Sequence, residues 1–146
     1  MTTSGHQGPS PHLAWAELAC RDGTGYTREW RATRAAALGI EFERIRAAVG
    51  TPIRILSAYR TPDHNRRVGG ARNSQHCQGR ALDLQLPRGW TMDRFYRIVR
   101  EIAGRSESLL AGLGRYPAFV HIDIRPLRAD GRLTAWRGSR AWAEAP

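Results

Sequence analysis

Lysine is missing from this chain: every one of its 23 basic side chains is an arginine. Against 13 acidic residues these give a formal net charge of +10 over 146 residues. Such a balance attracts anionic polymers, whether nucleic acid or an acidic cell wall. The arginines are spread along the whole chain, as solvated helix faces would also require. No Arg-rich block or aromatic-interleaved RNA motif appears, so nothing specifies a nucleic-acid partner. Cysteine is scarce. Cys20 and Cys77 build no disulfide framework, and no C-x-x-C or zinc-finger spacing occurs. Cys20 follows the apolar stretch 13–19 and reads as a buried small hydrophobe. No apolar run approaches the roughly 20 residues of a spanning helix. The first eleven residues have neither the basic start nor the apolar run of a Sec signal peptide, and read as a flexible lead, 1–11. Internal repeats and a second domain are also missing.

What is present suits one domain, 12–146, with 41% hydrophobic residues and length enough for a core. Residues 12–20 form an apolar anchor. Across 28–49, Trp30, Leu38, Phe42, Ile45 and Val49 recur mostly at three- and four-residue steps, which predicts an amphipathic helix ended by Gly50 and Pro52. A short β-branched strand is expected over 53–59, then a loop of turn residues over 60–65 and an irregular, glycine-containing stretch over 68–74. A second strand covers 80–86. Thr91 caps a helix running to about Ala103, with Gly104 at its end, and a short helix is expected over 106–110. The clearest strand is 119–125. Asp130-Gly131 signals a hairpin with 132–136 as the return strand.

Alternation within two of these strands exposes the chemistry. Leu82, Leu84 and Leu86 share one face, which leaves Asp83 on the other. Val120, Ile122 and Ile124 point one way, and Phe119, His121, Asp123 and Arg125 the opposite way. Were the strands neighbours, their polar faces would form one wall. His76 lies in the loop leading in, where Gly79 lets the chain fold back. Two histidines and one carboxylate make the minimum inner shell of a catalytic zinc, with a fourth position open for water. Singly, a loop histidine or a strand aspartate is an ordinary solvated residue. The combination is what points to a metal.

The run Ser74-Gln-His-Cys-Gln-Gly-Arg-Ala-Leu-Asp83 resembles the S-x-H-x-x-G-x-A-x-D signature of the zinc D-alanyl-D-alanine carboxypeptidases, a family that includes peptidoglycan endopeptidases. Ser57-Ala-Tyr-Arg60 resembles its S-x-x-R strand end. Asn65 with Val68-Gly-Gly-Ala71 resembles the loop before the metal ligand, and Glu17-Leu-Ala-Cys20 the start of its compact single-domain branch. Gly114-Arg-Tyr-Pro117 and 119–125 resemble its final strand. The likeness runs over roughly residues 12 to 137. It implies that His76, Asp83 and His121 bind Zn2+, and that Arg60 faces the metal and holds the scissile carbonyl or the developing oxyanion. Ser74 would orient the His76 loop or contact substrate. One departure stands out. Family members with a carboxylate general base carry it three residues before the last zinc histidine, where this chain has Ala118. Asp123 is the available carboxylate, either as that base or as a group fixing a ligand or pairing with Arg125. His64 would line the cleft or sit solvated in its loop, and His12 would be structural. Tyr116 and Trp136 would form cleft walls or pack at core and rim.

The expected architecture is α+β, with helices on one side of a small, mainly antiparallel sheet and a zinc cleft on the other, a hedgehog/D,D-peptidase-like arrangement. The expected function is hydrolysis of a peptide bond adjoining a D-amino acid in peptidoglycan, by a carboxypeptidase or an endopeptidase, with stem peptides as partners. A monomer acting in the cell envelope, reached by phage-type or device-delivered export, would fit. Two other readings remain: a zinc-stabilised wall-binding module without turnover, suggested by Ala118, and an arginine-rich nucleic-acid binder, which has only net charge behind it.

Overall fold

Leucine alternation at 81–85 and valine–isoleucine alternation at 119–123 do what they predict: they make the two central strands of a sheet. The computed structural model describes residues 6–144. Its helices are α1 (Trp15–Leu18), α2 (Arg28–Trp30), α3 (Ala36–Val49), α4 (Pro62–Arg67) and α5 (Met92–Ala103). Its strands are β1 (Ile55–Ser57), β2 (Ala81–Gln85), β3 (Gly112–Arg115), β4 (Phe119–Asp123) and β5 (Thr134–Arg137), in the order β1-β2-β4-β3-β5. Every pairing is antiparallel except β3 with β5. The fold is α+β, as expected.

Strand register sorts the side chains. Leu82 faces Ile122 and Leu84 faces Val120 across the β2–β4 ladder. These four pack with Leu38, Phe42 and Ile45 of α3 and with Phe95, Val99 and Ile102 of α5 in one core cluster. The three- and four-residue spacing of those helix residues is what aims them together. Asp83 and His121 are also direct partners in the ladder. With a two-residue side-chain period, their side chains must share the face away from the helices.

The 28–49 helix forms with one irregularity, a π turn over Arg31–Ala35 between α2 and α3. Its first part and the residues just before it grip the loop that carries His76. Tyr26 donates from its hydroxyl to the Gly79 carbonyl at 2.9 Å, and Arg34 donates to the Gln78 carbonyl. Gly79 has φ +64, and a Cβ there would come within 2.8 Å of the Trp30 ring. Only glycine fits both the left-handed backbone and the close approach.

Several local expectations are corrected. The segment after Asp130-Gly131 does not return along β4, because β2 and β3 already occupy both edges of that strand. It adds in parallel to β3 instead, as β5. Residues 62–67 are a helical turn rather than loop, started by the Thr61 hydroxyl accepting from the His64 N–H and by Pro62 at the first position. No helix forms over 106–110. The buried Glu41 carboxylate there accepts from the Ser108 hydroxyl at 2.7 Å and the Leu109 N–H at 3.1 Å, which fixes the segment as a turn. Of the expected lead, residues 1–5 lie outside the described residues. In the rest, the Gln7 carbonyl accepts from the Trp15 N–H at 2.9 Å and the Ser10 carbonyl from the Leu13 N–H at 3.3 Å. No described helix is long and apolar enough to cross a membrane.

Candidate metal centre

His76 enters the site from a 3-10 turn, Gln75–Gln78, that begins when the Ser74 hydroxyl accepts from the His76 N–H. Its ring is fixed from behind, with Nδ1 2.6 Å from the Ala58 carbonyl at the end of β1. A carbonyl can only accept, so Nδ1 carries the proton and Nε2 presents a lone pair. That Nε2 is buried, lies 3.1 Å from Asp83 Oδ1 and makes no hydrogen bond. Two acceptors thus face each other at contact distance, an arrangement that calls for a cation between them.

His121 completes the cluster. Its Nδ1 lies 2.9 Å from Asp83 Oδ1 and its Nε2 2.7 Å from Asp123 Oδ2. One ligand atom from each of His76, Asp83 and His121 lies within 4.8 Å of the other two, and all three residues are buried. Asp123 is fully buried beneath them. Arg125 clamps it with Nε at 2.8 Å from Oδ1 and Nη2 at 2.7 Å from Oδ2, and adds its backbone N–H at 3.1 Å. Asp123 therefore holds the far side of the His121 ring, as the carboxylate behind a metal-bound histidine commonly does.

Titration follows from this packing. Burial pushes His76 down, away from the charged form. Burial works to raise Asp83, but the two histidines beside it outweigh that and hold its carboxyl well below the usual range. Burial likewise opposes charge on His121, yet hydrogen bonds to Asp123 and Asp83 raise it. The donor set of two imidazoles and a carboxylate, in deprotonable form and oriented from behind, fits a zinc-type ion.

Arg60 is the largest fully buried side chain. Its Nε donates to Ser57 Oγ at 3.0 Å, Nη1 to Asn65 Oδ1 at 3.1 Å, and Nη2 to the Ala143 carbonyl at 2.9 Å and toward Asp83 Oδ2 at 3.5 Å. Arg60 borders the site cavity, about 280 Å³ in volume, together with Ser74, His76, Asp83 and His121. Tyr116, Trp136 and Arg125 also line it. Ser74 is both the cap of the His76 turn and a wall of the cavity.

His64 is not at the cavity. Its Nε2 lies 2.6 Å from Glu144 Oε1, and Glu144 Oε2 accepts from the Ser57 hydroxyl at 2.6 Å. His12 Nδ1 lies 2.7 Å from Glu43 Oε1. Ala118 lies on a different groove, beside Trp142 and Gln85. Cys20 is buried, and both cysteines are free. Glu144 escaped the sequence reading altogether, because it lies 87 residues from Ser57 and no local pattern links the two.

A buried His–Asp–His cluster beside a cavity is a site that could hold a metal ion. The chain belongs to the Peptidase M15 family, whose model matches residues 11–123. Its members are zinc enzymes, so the chain is of metallopeptidase type. No curated protein matches it.

Proposed function

We propose that this protein is a zinc-dependent peptidase that cuts a peptide bond adjoining a D-amino acid in bacterial peptidoglycan, acting in the cell envelope as a monomer. The observation that carries the reading is the buried, unpartnered Nε2 of His76 facing Asp83 Oδ1 at 3.1 Å. His76, Asp83 and His121 would hold the ion, which when bound supplies a Lewis acid and an activated water. The Ala58 carbonyl fixes the tautomer of His76. Asp123, clamped by Arg125, keeps a proton on His121 Nε2 and so leaves Nδ1 to the ligand cluster. Arg60 keeps its donors on Ser57, Asn65 and Ala143 and would act on the developing oxyanion through its permanent positive charge. Ser74 sets the His76 turn and offers a hydroxyl to the cavity.

Incubating the zinc-loaded protein with purified peptidoglycan and reading the muropeptides by mass spectrometry tests this. New amine ends that vanish in His121→Ala are expected. A second reading, a wall-binding module with little turnover, is favoured by two features: Ala118 stands at the usual base position, and both oxygens of Asp123 are engaged. Retention on the wall with no new ends would support that module over the enzyme.

A further inference from the structure

Of the guanidinium groups that border the metal cavity, two are committed. Arg60 is held by Ser57, Asn65 and Ala143, and Arg125 grips Asp123 through two hydrogen bonds. The third, Arg140, lines the same cavity and makes no ion pair or hydrogen bond to any described residue. One aromatic contact places it. The Cζ of Arg140 sits 5.7 Å from the centroid of the Tyr116 ring. That ring is stacked on Phe119 at 4.3 Å and 8°, and its hydroxyl accepts from Trp136 Nε1 at 2.9 Å. Just before Arg140, Gly138 donates its N–H to the Arg115 carbonyl at 2.9 Å. A Cβ at Gly138 would fall 2.0 Å from the Tyr116 ring, so the glycine is what lets this segment lie flat on the tyrosine.

A half-buried arginine parked on an aromatic platform at the rim of a small cavity has a permanent charge and a planar fork of donors directed at nothing in the chain. A carboxylate matches that fork. We infer that Arg140 binds the free carboxyl terminus of the substrate, so that the protein removes a terminal residue rather than cutting inside a cross-link. The inference rests on the peptidase reading above. The cavity volume agrees, since about 280 Å³ is at the low end of small-ligand sites, suited to a short leaving group. Arg140 lies outside the residues 11–123 that the family model matches.

The test uses an uncleavable probe, a reduced-bond analogue of N-acetyl-D-alanyl-D-alanine in which the scissile amide is a methyleneamine, as free acid and as C-terminal amide. Binding to the zinc-loaded protein is measured by calorimetry. The acid is expected to bind about 10- to 100-fold tighter than the amide, the worth of a charge-assisted hydrogen-bonded pair. Arg140→Ala should erase that preference, Arg140→Lys should keep part of it, and Arg128→Ala, which removes the same charge off the cavity lining, should keep all of it. Equal binding of acid and amide by the wild type, or a preference that survives Arg140→Ala, overturns the assignment. Cleavage of the corresponding amide-bonded peptides is followed in parallel. Absence of cleavage with the acid preference intact would remove the peptidase reading and leave the carboxylate site standing.

Discussion

Asp123 is the residue on which the chemistry turns, because one carboxylate is available for two incompatible tasks. As a general base it would need an oxygen free to take a proton from water. In the structure Oδ2 is shared between His121 and Arg125, and Oδ1 receives two further N–H groups of Arg125. A positioning role predicts that Asp123→Asn weakens zinc binding about 10- to 100-fold. It also predicts that turnover largely returns once zinc is made saturating. Chelator competition and rate measurements on the same samples check this; a variant fully loaded with zinc yet still slowed by about 100-fold or more would restore Asp123 as the base. Glu144 gives a second prediction at this scale. Burial favours its neutral form, but hydrogen bonds from Ser57 and His64 and the charges of Arg60 and Arg21 hold its carboxyl below the ordinary value. A carboxyl lowered on folding stabilises the native state above the unfolded pKa, about 4.3 for glutamate, and that stabilisation fades as pH falls through the lower folded value. Glu144→Gln should therefore be less stable than wild type at neutral pH, with the gap closing as the solution is acidified below pH about 4. Urea titrations at several pH values measure it.

At the scale of elements, β3 shows why part of the molecule escapes a reading of the sequence. Glycines at 112 and 114 weaken any propensity argument for a strand, and pattern alone leaves the segment unassigned. Both exist for their neighbours. A Cβ on Gly112 would lie 2.2 Å from Asp123 Oδ2, and one on Gly114 would lie 2.7 Å from the Trp136 indole. The strand is bare on that face so that the clamp behind His121 and the cavity wall have room. Gly112→Ala should cost about 1–3 kcal/mol, as overpacking does, and should also weaken zinc binding by moving Asp123. Gly104→Ala, where the nearest atom to an added Cβ is at an ordinary 3.5 Å, should change stability by less than about 0.5 kcal/mol. Denaturant unfolding of both variants, with zinc affinity measured alongside, separates these outcomes. The faces of the central ladder, by contrast, were legible from alternation: Leu82 and Leu84 had to face the core, which left Asp83 on the polar side, where the ladder pairs it with His121. The clustering of His76, Asp83 and His121 was legible only when the likeness of 74–83 to a zinc-peptidase signature was added, with Gly79 marking the fold-back. What alternation could not supply was partnership at long range. The parallel seat of β5 depends on both edges of β4 being filled. The Arg60 cage depends on Ala143, 83 residues away.

For the whole molecule, two kinds of electrostatics coexist and respond to salt in different ways. The His–Asp–His cluster and the Arg60 cage are buried and the Arg125 clamp is half-buried, where mobile ions do little. The net charge of +10 comes from arginines spread along the chain, most of them at least partly exposed, and it acts over distances that salt screens, about 10 Å at 0.1 M. If that charge holds the protein on an anionic cell wall, the two functions should come apart with ionic strength. Retention on purified wall sacculi should fall steeply between about 0.05 and 0.5 M salt, because each displaced counterion contributes to binding. Zinc affinity and the melting temperature of the zinc-loaded protein should barely move over the same range. Sedimentation of sacculi with bound protein, alongside thermal melts with zinc and with chelator, provides both readings. Wall retention unchanged by salt would mean that the arginine-rich surface is not what recruits the protein, and would move the recognition of its substrate wholly into the metal cavity and its arginine rim.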